Sequence, residues 1–175
     1  MMLRVFTVAA VFAVATPNTA NSTPITIGYF GESLTHPGIN GGIEWVPLRR
    51  GPISLMLAAE SGFYVHPQNH SALFAQGIVG FRAKASFGLT GTLTLGSGYL
   101  HTFRGGDVYN DRGERILDLG RPNFMPSAGL EGSWTVAAIG RWAVSPFLRL
   151  FLFGQFPYND GLLMRGAIII GARLE

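Results

Sequence analysis

The chain has 175 residues, of which 47% are hydrophobic and only 13% are charged. Soluble domains carry about a quarter of charged residues, and this apolar content argues against disorder. The net charge of +3 comes from dispersed arginines, so we expect no nucleic-acid binding. The absence of cysteine excludes disulfides and cysteine-based metal or catalytic sites.

The N-terminal segment has the pattern of a secretory signal. Arg4 supplies a positive charge before the apolar run Val5–Ala15. That run is too short for a membrane helix, which needs about 20 residues. Small residues permit cleavage after Ala15 or after Ala20, and an uncleaved N-terminal anchor is the alternative. No cysteine follows the run, so a lipoprotein anchor is excluded.

We expect a signal peptide over residues 1–20 and a single all-β domain over residues 21–175. The domain contains about eight short, glycine-rich segments with alternating polarity, bounded by turn residues. Most have the length of a tilted membrane strand with short extensions. The predicted strands are Ile25–Ser33, Gly38–Leu48, Pro52–Val65, Ser71–Ala85, Leu89–Arg104, Pro122–Val136, Val144–Phe156 and Leu162–Leu174.

Alternation is clearest in the second, fifth and seventh predicted strands. In the seventh, Leu148, Leu150 and Leu152 share one face, whereas Arg149 and Gln155 lie on the other. A period of two places each set on one side of a sheet. These faces predict an antiparallel up-and-down transmembrane β-barrel with an apolar outside and a polar inside.

The polar face is predicted to form a network that plugs the barrel. Eight strands leave an interior just wide enough for side chains to fill, and buried charges must be paired. The alternative is that several of these residues lie in water near the strand ends. The predicted inner polar residues are Glu44, Glu60, Gln76, Arg82, Glu131, Arg149, Gln155, Arg165 and Arg173.

The connections between the strands differ in length. Arg49–Gly51 and Ser86–Gly88 are tight, whereas Leu34–Pro37, His66–His70 and Arg104–Arg121 are longer or more polar. Outer-membrane barrels have short periplasmic turns and longer outer loops. The longer connections are therefore predicted to lie at the outer end of the barrel.

All four histidines fall at this predicted outer end. Imidazoles on neighbouring segments could bind a transition metal or perform acid–base chemistry. Histidine is also common in turns, and Pro67 prevents a helical zinc motif, so we expect neither a metal nor a cofactor. The candidate binding residues at the rim are His36, His66, His70, His101 and Asp107, with Glu32 and Tyr64 as neighbours.

A hydrolase would need a serine nucleophile, a base and a group that orients the base. The candidates are Ser71 or Ser97 as nucleophile, His70 or His101 as base and Glu60 as orienting group. Adjacent strand residues point to opposite faces, so His70 is poorly placed to serve Ser71. There is no G-x-S-x-G motif, and we do not expect an enzyme.

Aromatic residues cluster near the predicted strand ends, as in the girdles of membrane barrels. The alternative is that they form the core of a soluble barrel. The residues are Trp45, Trp134, Trp142, Tyr29, Tyr64, Tyr99, Tyr109 and Tyr158.

Two other fold classes are alternatives to a membrane barrel. A helical membrane protein is disfavoured because no segment after the signal offers about 18 uninterrupted apolar residues. A soluble exported barrel or sandwich, such as a lipocalin-like ligand binder with an open lumen, is the second alternative.

The chain resembles the small eight-stranded outer-membrane β-barrel proteins of Gram-negative bacteria. The resemblance rests on the signal segment, the alternating strands from Ile25 onward and the final strand Leu162–Leu174. It departs from them in ending Ala172-Arg173-Leu174-Glu175 rather than in an aromatic residue.

The resemblance implies a monomer in the cell outer membrane, with contacts to membrane lipid, lipopolysaccharide and the assembly machinery. It also implies a structural or surface-interaction role, with narrow, porin-like pores and lipid A-modifying hydrolases as other members. The lipid A deacylases use a His-x-Ser pair on a strand, and no such pair occurs in this sequence.

Overall fold

The computed structural model describes residues 23–33, 35–67, 69–109, 112–116, 119–139, 142–159 and 161–175. The predicted signal peptide lies outside these ranges, so it and the domain boundary at residue 20 stay predictions. In the described ranges, no helix is long and apolar enough to cross a bilayer.

Eight long antiparallel strands of the described residues form a closed ring, which confirms the predicted up-and-down barrel. Each strand pairs with the next one along the chain, and the first pairs with the last. The strands are β1 (Ile25–Glu32), β2 (His36–Arg50), β3 (Ile53–His66), β4 (His70–Lys84), β5 (Leu89–Arg104), β6 (Arg121–Trp134), β7 (Trp142–Tyr158) and β8 (Gly161–Leu174).

The predicted boundaries agree closely with these ranges, but two predicted connections contain short strands. Val108–Tyr109 pairs with Arg115–Ile116 inside the long connection after β5. Ala137–Ile139 pairs with the start of β7. Ladders of two or three residues are too short to produce a readable alternation, so the sequence pattern shows only the surrounding turn residues.

The outward-facing side chains are mostly large and apolar. Leu148, Leu150 and Leu152 on β7 are 49–55% exposed, while Phe147 and Arg149 between them are buried. The same alternation holds on the other long strands. An apolar surface that encircles the whole ring is far larger than the patches that soluble monomers expose, and it is typical of a membrane barrel.

The aromatic side chains divide between the two faces. Trp45, Trp134, Tyr29, Tyr99 and Tyr158 point outwards and are 42–47% exposed, in agreement with the predicted girdles. Tyr64 is the exception, because its position on β3 faces the interior and its side chain is fully buried. The side chain of Trp142 lies outside the described residues.

An aromatic layer fills the interior between the middle of the barrel and the end that carries the β1–β2 connection. Phe30 packs against four rings at centroid distances of 5.1–6.0 Å. Gly62 makes room for one of them, because a Cβ at this position would lie 2.5 Å from Phe74 Cζ. The other rings of the layer are those of Tyr64, Phe151 and Phe153.

The two ends of the barrel differ. The connections β1–β2, β3–β4, β5–β6 and β7–β8 lie at one end, which we call the rim. The first residue of β1 and the last residue of β8 lie at the other, which we call the terminal end. A chain of charged residues lies between the aromatic layer and the terminal end, and a row of histidines lies between the layer and the rim.

Candidate functional site

Four side chains form a row across the first four strands at the rim. Glu32 pairs in register with His36, and His66 pairs in register with His70. The register of β2 with β3 then sets His36 beside His66. Directly opposed residues in antiparallel strands have Cβ atoms about 4.5–5.5 Å apart, so the ladder itself brings the four side chains together. We call Glu32, His36, His66 and His70 the rim row.

The members of the rim row are in direct contact. Nδ1 of His36 lies against Oε2 of Glu32. The rings of His36 and His66 stack with their centroids 3.6 Å apart, and the ring centroids of His66 and His70 are 5.1 Å apart. One donor atom each of Glu32, His36 and His66 lies within 4.8 Å of the other two.

Groups outside the rim row form hydrogen bonds with Glu32 and His66. Oε1 of the buried Glu32 carboxylate accepts a hydrogen bond from Arg165 Nη1 at 2.9 Å. Nδ1 of His66 lies 3.3 Å from the Pro67 carbonyl oxygen. Because a carbonyl only accepts, this nitrogen carries the proton and Nε2 of the neutral ring keeps its lone pair.

His70 has a buried ring nitrogen without a partner. Within the part of the chain that the structure describes, no group lies within hydrogen-bonding range of its Nε2. His70 lies at the rim end of β4, closer to the rim than Leu73, which is the outward apolar side chain nearest that end. Burial, and then the charge of Arg165, lower the pKa of the His70 imidazole to about 4. Its ring is therefore neutral at pH 7. Buried polar atoms without a partner are rare in native proteins.

His101 and Asp107 lie at the rim end of the barrel but do not join the rim row. His101 faces outwards on β5, where its Nδ1 accepts a hydrogen bond from Tyr99 Oη at 2.6 Å. Its Nε2 donates to the Leu119 carbonyl oxygen at 2.8 Å. Asp107 forms an exposed ion pair with Arg115 at 2.7 Å. The cause is strand parity, which sets position 101 on the lipid-facing side.

The candidate hydrolase residues are not assembled either. His70 faces the interior, whereas Ser71 lies on the opposite face of β4. Glu60 lies in the middle of β3 and is bound to Arg149. Ser97 faces outwards on β5, on the side away from Glu60. The described residues therefore contain no serine–histidine–carboxylate arrangement among these candidates.

The inner polar residues form one chain of alternating charges near the terminal end. Neighbours in the chain are joined by guanidinium–carboxylate distances of 2.5–3.0 Å. Each side chain is at most 10% exposed, and the three cations balance the three anions. We call this set the ion chain; in order, its members are Arg82, Glu44, Arg173, Glu131, Arg149 and Glu60.

Amides complete one end of the ion chain. Glu60 accepts hydrogen bonds from Asn40 and from Gln76 Nε2, the latter at 3.1 Å. Asn40 has the same inward parity as Glu44 on β2, although it is not among the predicted members of the polar network. Arg165, one of the predicted inner polar residues, instead binds Glu32 at the rim because it lies near the rim end of β8.

Gln155, like Gln76 and Arg165, is a predicted inner residue that is not a member of the ion chain. Its side chain is buried near the rim end of β7, and its Oε1 has no hydrogen-bond partner among the described residues.

Comparisons with known proteins give only distant likenesses in shape. No protein-family model matches the chain, and no curated protein matches it. The outer membrane enzyme PagL is similar with a TM-score of 0.48 and 10% identity, over 86% of this chain and 97% of that one. The β domain of the Bordetella autotransporter BrkA is similar with a TM-score of 0.37 and 13% identity, over 85% of this chain and 66% of that one. The fold assignment therefore rests on the strand ring itself.

Proposed function

We propose that this protein is an integral β-barrel of a bacterial outer membrane with a structural or surface-interaction role. The observation that carries the proposal is the combination of an apolar exterior with a filled interior. The exterior provides a surface for lipid on every strand, and the interior leaves the rim and its loops as the surface for partners.

The exterior argues against the soluble, lipocalin-like alternative. Such a binder needs a polar outside and a lumen of roughly 300–1,000 Å³ for a small ligand. A cavity at the terminal end, between Ser54, Arg82 and Arg173, measures about 150 Å³. The ion chain and the aromatic layer fill the interior beyond it. A larger groove of about 640 Å³ lies on the wall between Leu93, Leu130 and other outward side chains. An apolar groove on the outer wall suits a lipid acyl chain.

The interior argues against a conducting pore. The ion chain spans the lumen with paired charges, and the aromatic layer covers it towards the rim. An ion that passed would have to break several buried guanidinium–carboxylate contacts, each of which is costly to break when one partner stays behind. We therefore propose that the function lies at the rim, where lipopolysaccharide is the partner that we expect.

Cell fractionation combined with gel mobility tests the membrane assignment. The full chain is expressed in a Gram-negative host, and inner and outer membranes are separated. We expect the protein in the outer-membrane fraction, with a faster mobility before heating than after heating, as a closed barrel resists detergent unfolding. A soluble periplasmic protein without a heat-dependent shift would refute the proposal.

Planar-bilayer recording tests the plugged interior. The purified wild type is expected to be electrically silent at moderate voltages. A variant that removes two rings of the aromatic layer, Phe30→Ala with Phe74→Ala, serves as the positive control for a loosened interior. Steady conductance from the wild type itself would contradict a role confined to the rim.

A further inference from the structure

We infer that the rim row is a binding site for a first-row transition-metal ion, with Zn²⁺ as its type ion. Glu32 Oε2, His36 Nδ1 and His66 Nε2 supply three ligands, and His70 Nε2 supplies the fourth. This site reverses the expectation from the sequence that the chain holds no metal, and it does not depend on the proposed membrane role.

The candidate ligand atoms already lie close together, and side-chain rotations alone would direct them at one ion. Donor atoms of Glu32, His36 and His66 already lie within 4.8 Å of one another. Zinc bonds of about 2.0–2.2 Å to nitrogen and oxygen place tetrahedral ligands about 3.3–3.6 Å apart. The rings of His36 and His66 are stacked with an angle of 20° between their planes, and an ion lies in the plane of each imidazole that binds it. Both rings must therefore turn out of the stack to bind one ion, while the four paired strands hold the backbone positions.

The donor set selects the class of metal. Imidazole nitrogen suits zinc, copper and nickel, whereas magnesium and calcium prefer oxygen ligands alone. Two or three histidines with one carboxylate therefore fit the transition metals. Glu32 is only 3% exposed, so the site is buried and the ion's charge must be offset. The Glu32 carboxylate offsets part of that charge.

Hydrogen bonds with groups outside the rim row already hold two of the proposed ligands, as is usual in metal sites. The hydrogen bond from His66 Nδ1 to the Pro67 carbonyl leaves Nε2 as the ring nitrogen that can bind an ion. Arg165 holds the other oxygen of Glu32 at 2.9 Å. Metal-bound histidines and carboxylates are generally held by such second contacts, which fix the tautomer and the ring orientation.

His70 provides an independent observation that points to a ligand. Its Nε2 is buried, has no hydrogen-bond partner among the described residues and belongs to a ring that neighbours His66. A buried ring nitrogen without a hydrogen-bond partner, beside a three-donor cluster, is suitably placed to become the fourth ligand. A bound ion would satisfy this atom and join the β1–β2 and β3–β4 turns above the aromatic layer.

Isothermal titration of the untagged full chain, folded in detergent and stripped with chelator, tests the site with Zn²⁺. We expect saturable binding with a stoichiometry of one. Altering second contacts at metal sites costs about 10–100-fold in affinity, so losing a ligand in His66→Ala or Glu32→Gln should cost at least about 10-fold. His101→Ala removes a histidine outside the row and should leave the affinity unchanged.

Cobalt substitution adds a spectroscopic readout. Co²⁺ in the wild type should show the visible absorption of a tetrahedral site, and His70→Ala should shift it while binding persists. Heat-dependent gel mobility establishes that each variant is folded, and His66→Gln replaces His66→Ala if the latter fails to fold. Absence of Zn²⁺ binding by the folded wild type, or equal binding by wild type and His66→Ala, would overturn the inference.

Discussion

Replacing Arg149 by methionine tests the ion chain at a residue that joins two of its glutamates. Arg149 is 4% exposed and joins two glutamates, with Nη1 3.0 Å from Glu60 Oε2 and Nη2 2.8 Å from Glu131 Oε2. Methionine has a similar length, so the change removes the charge and its hydrogen bonds more than it removes volume. Glu131 keeps Arg173 as a partner, but Glu60 is left with the amides of Asn40 and Gln76.

The expected loss of stability follows from the Glu60 carboxylate, which stays buried without a cationic partner. Removing one partner of a buried ion pair costs about 3–5 kcal/mol, because the other charge stays desolvated. Arg149→Met should therefore lower the free energy of unfolding by about this amount. Neutralising the stranded group in Glu60→Gln/Arg149→Met should recover about 2 kcal/mol, within the range of coupling energies for contacting residues.

Urea unfolding in lipid vesicles, followed by tryptophan fluorescence, measures these differences. Arg50→Met is the matched control, because Arg50 is exposed at the end of β2 and its loss should change stability by less than about 0.5 kcal/mol. A loss of less than about 1 kcal/mol in Arg149→Met, or a double variant as unstable as the single one, would refute the reasoning.

Two further predictions concern the wall of the barrel and use the same unfolding assay. Gly62→Ala should lower the free energy of unfolding by about 1–3 kcal/mol, because the new Cβ would meet the Phe74 ring. Gly77→Ala is the control and should change stability little, because nothing lies within 4 Å of its Cβ. Equal effects of the two substitutions would contradict the packing. Leu150→Arg, at mid-strand on the outer face, should cost about 2–4 kcal/mol, and Leu48→Arg near the terminal end only about 0–1 kcal/mol. Equal costs at the two positions would argue against a bilayer around the ring.

The fold could be predicted because the alternation of polar and apolar residues is visible within each strand segment of the sequence. On β7, the leucines and the intervening Arg149 carry period-two polarity that is visible in the sequence, and the structure places them on opposite faces. The chain order of the strands also fixes their neighbours in an up-and-down ring. Nothing beyond residue-by-residue polarity and turn residues was needed for these features.

The site was less predictable because it depends on register across strands. The pairing of Glu32 with His36 and of His66 with His70 is a property of turn geometry, which a polarity pattern does not specify. The place of His101 on the outer face, by contrast, follows from the predicted strand Leu89–Arg104, because position 101 shares the parity of the outward Leu95 and Tyr99. The aromatic layer was visible as the inward phenylalanines of β7, but its partners on other strands were not.

Spin-label accessibility along β7 tests most directly whether the ring lies in a bilayer. The chain has no cysteine, so single-cysteine variants carry one label each. In lipid vesicles, labels at Leu148, Leu150 and Leu152 should collide with dissolved oxygen but not with a water-soluble nickel complex. Labels at Phe151 and Phe153 should collide little with either reagent. Access of the nickel complex to the outward positions, or loss of the alternation, would contradict the membrane barrel.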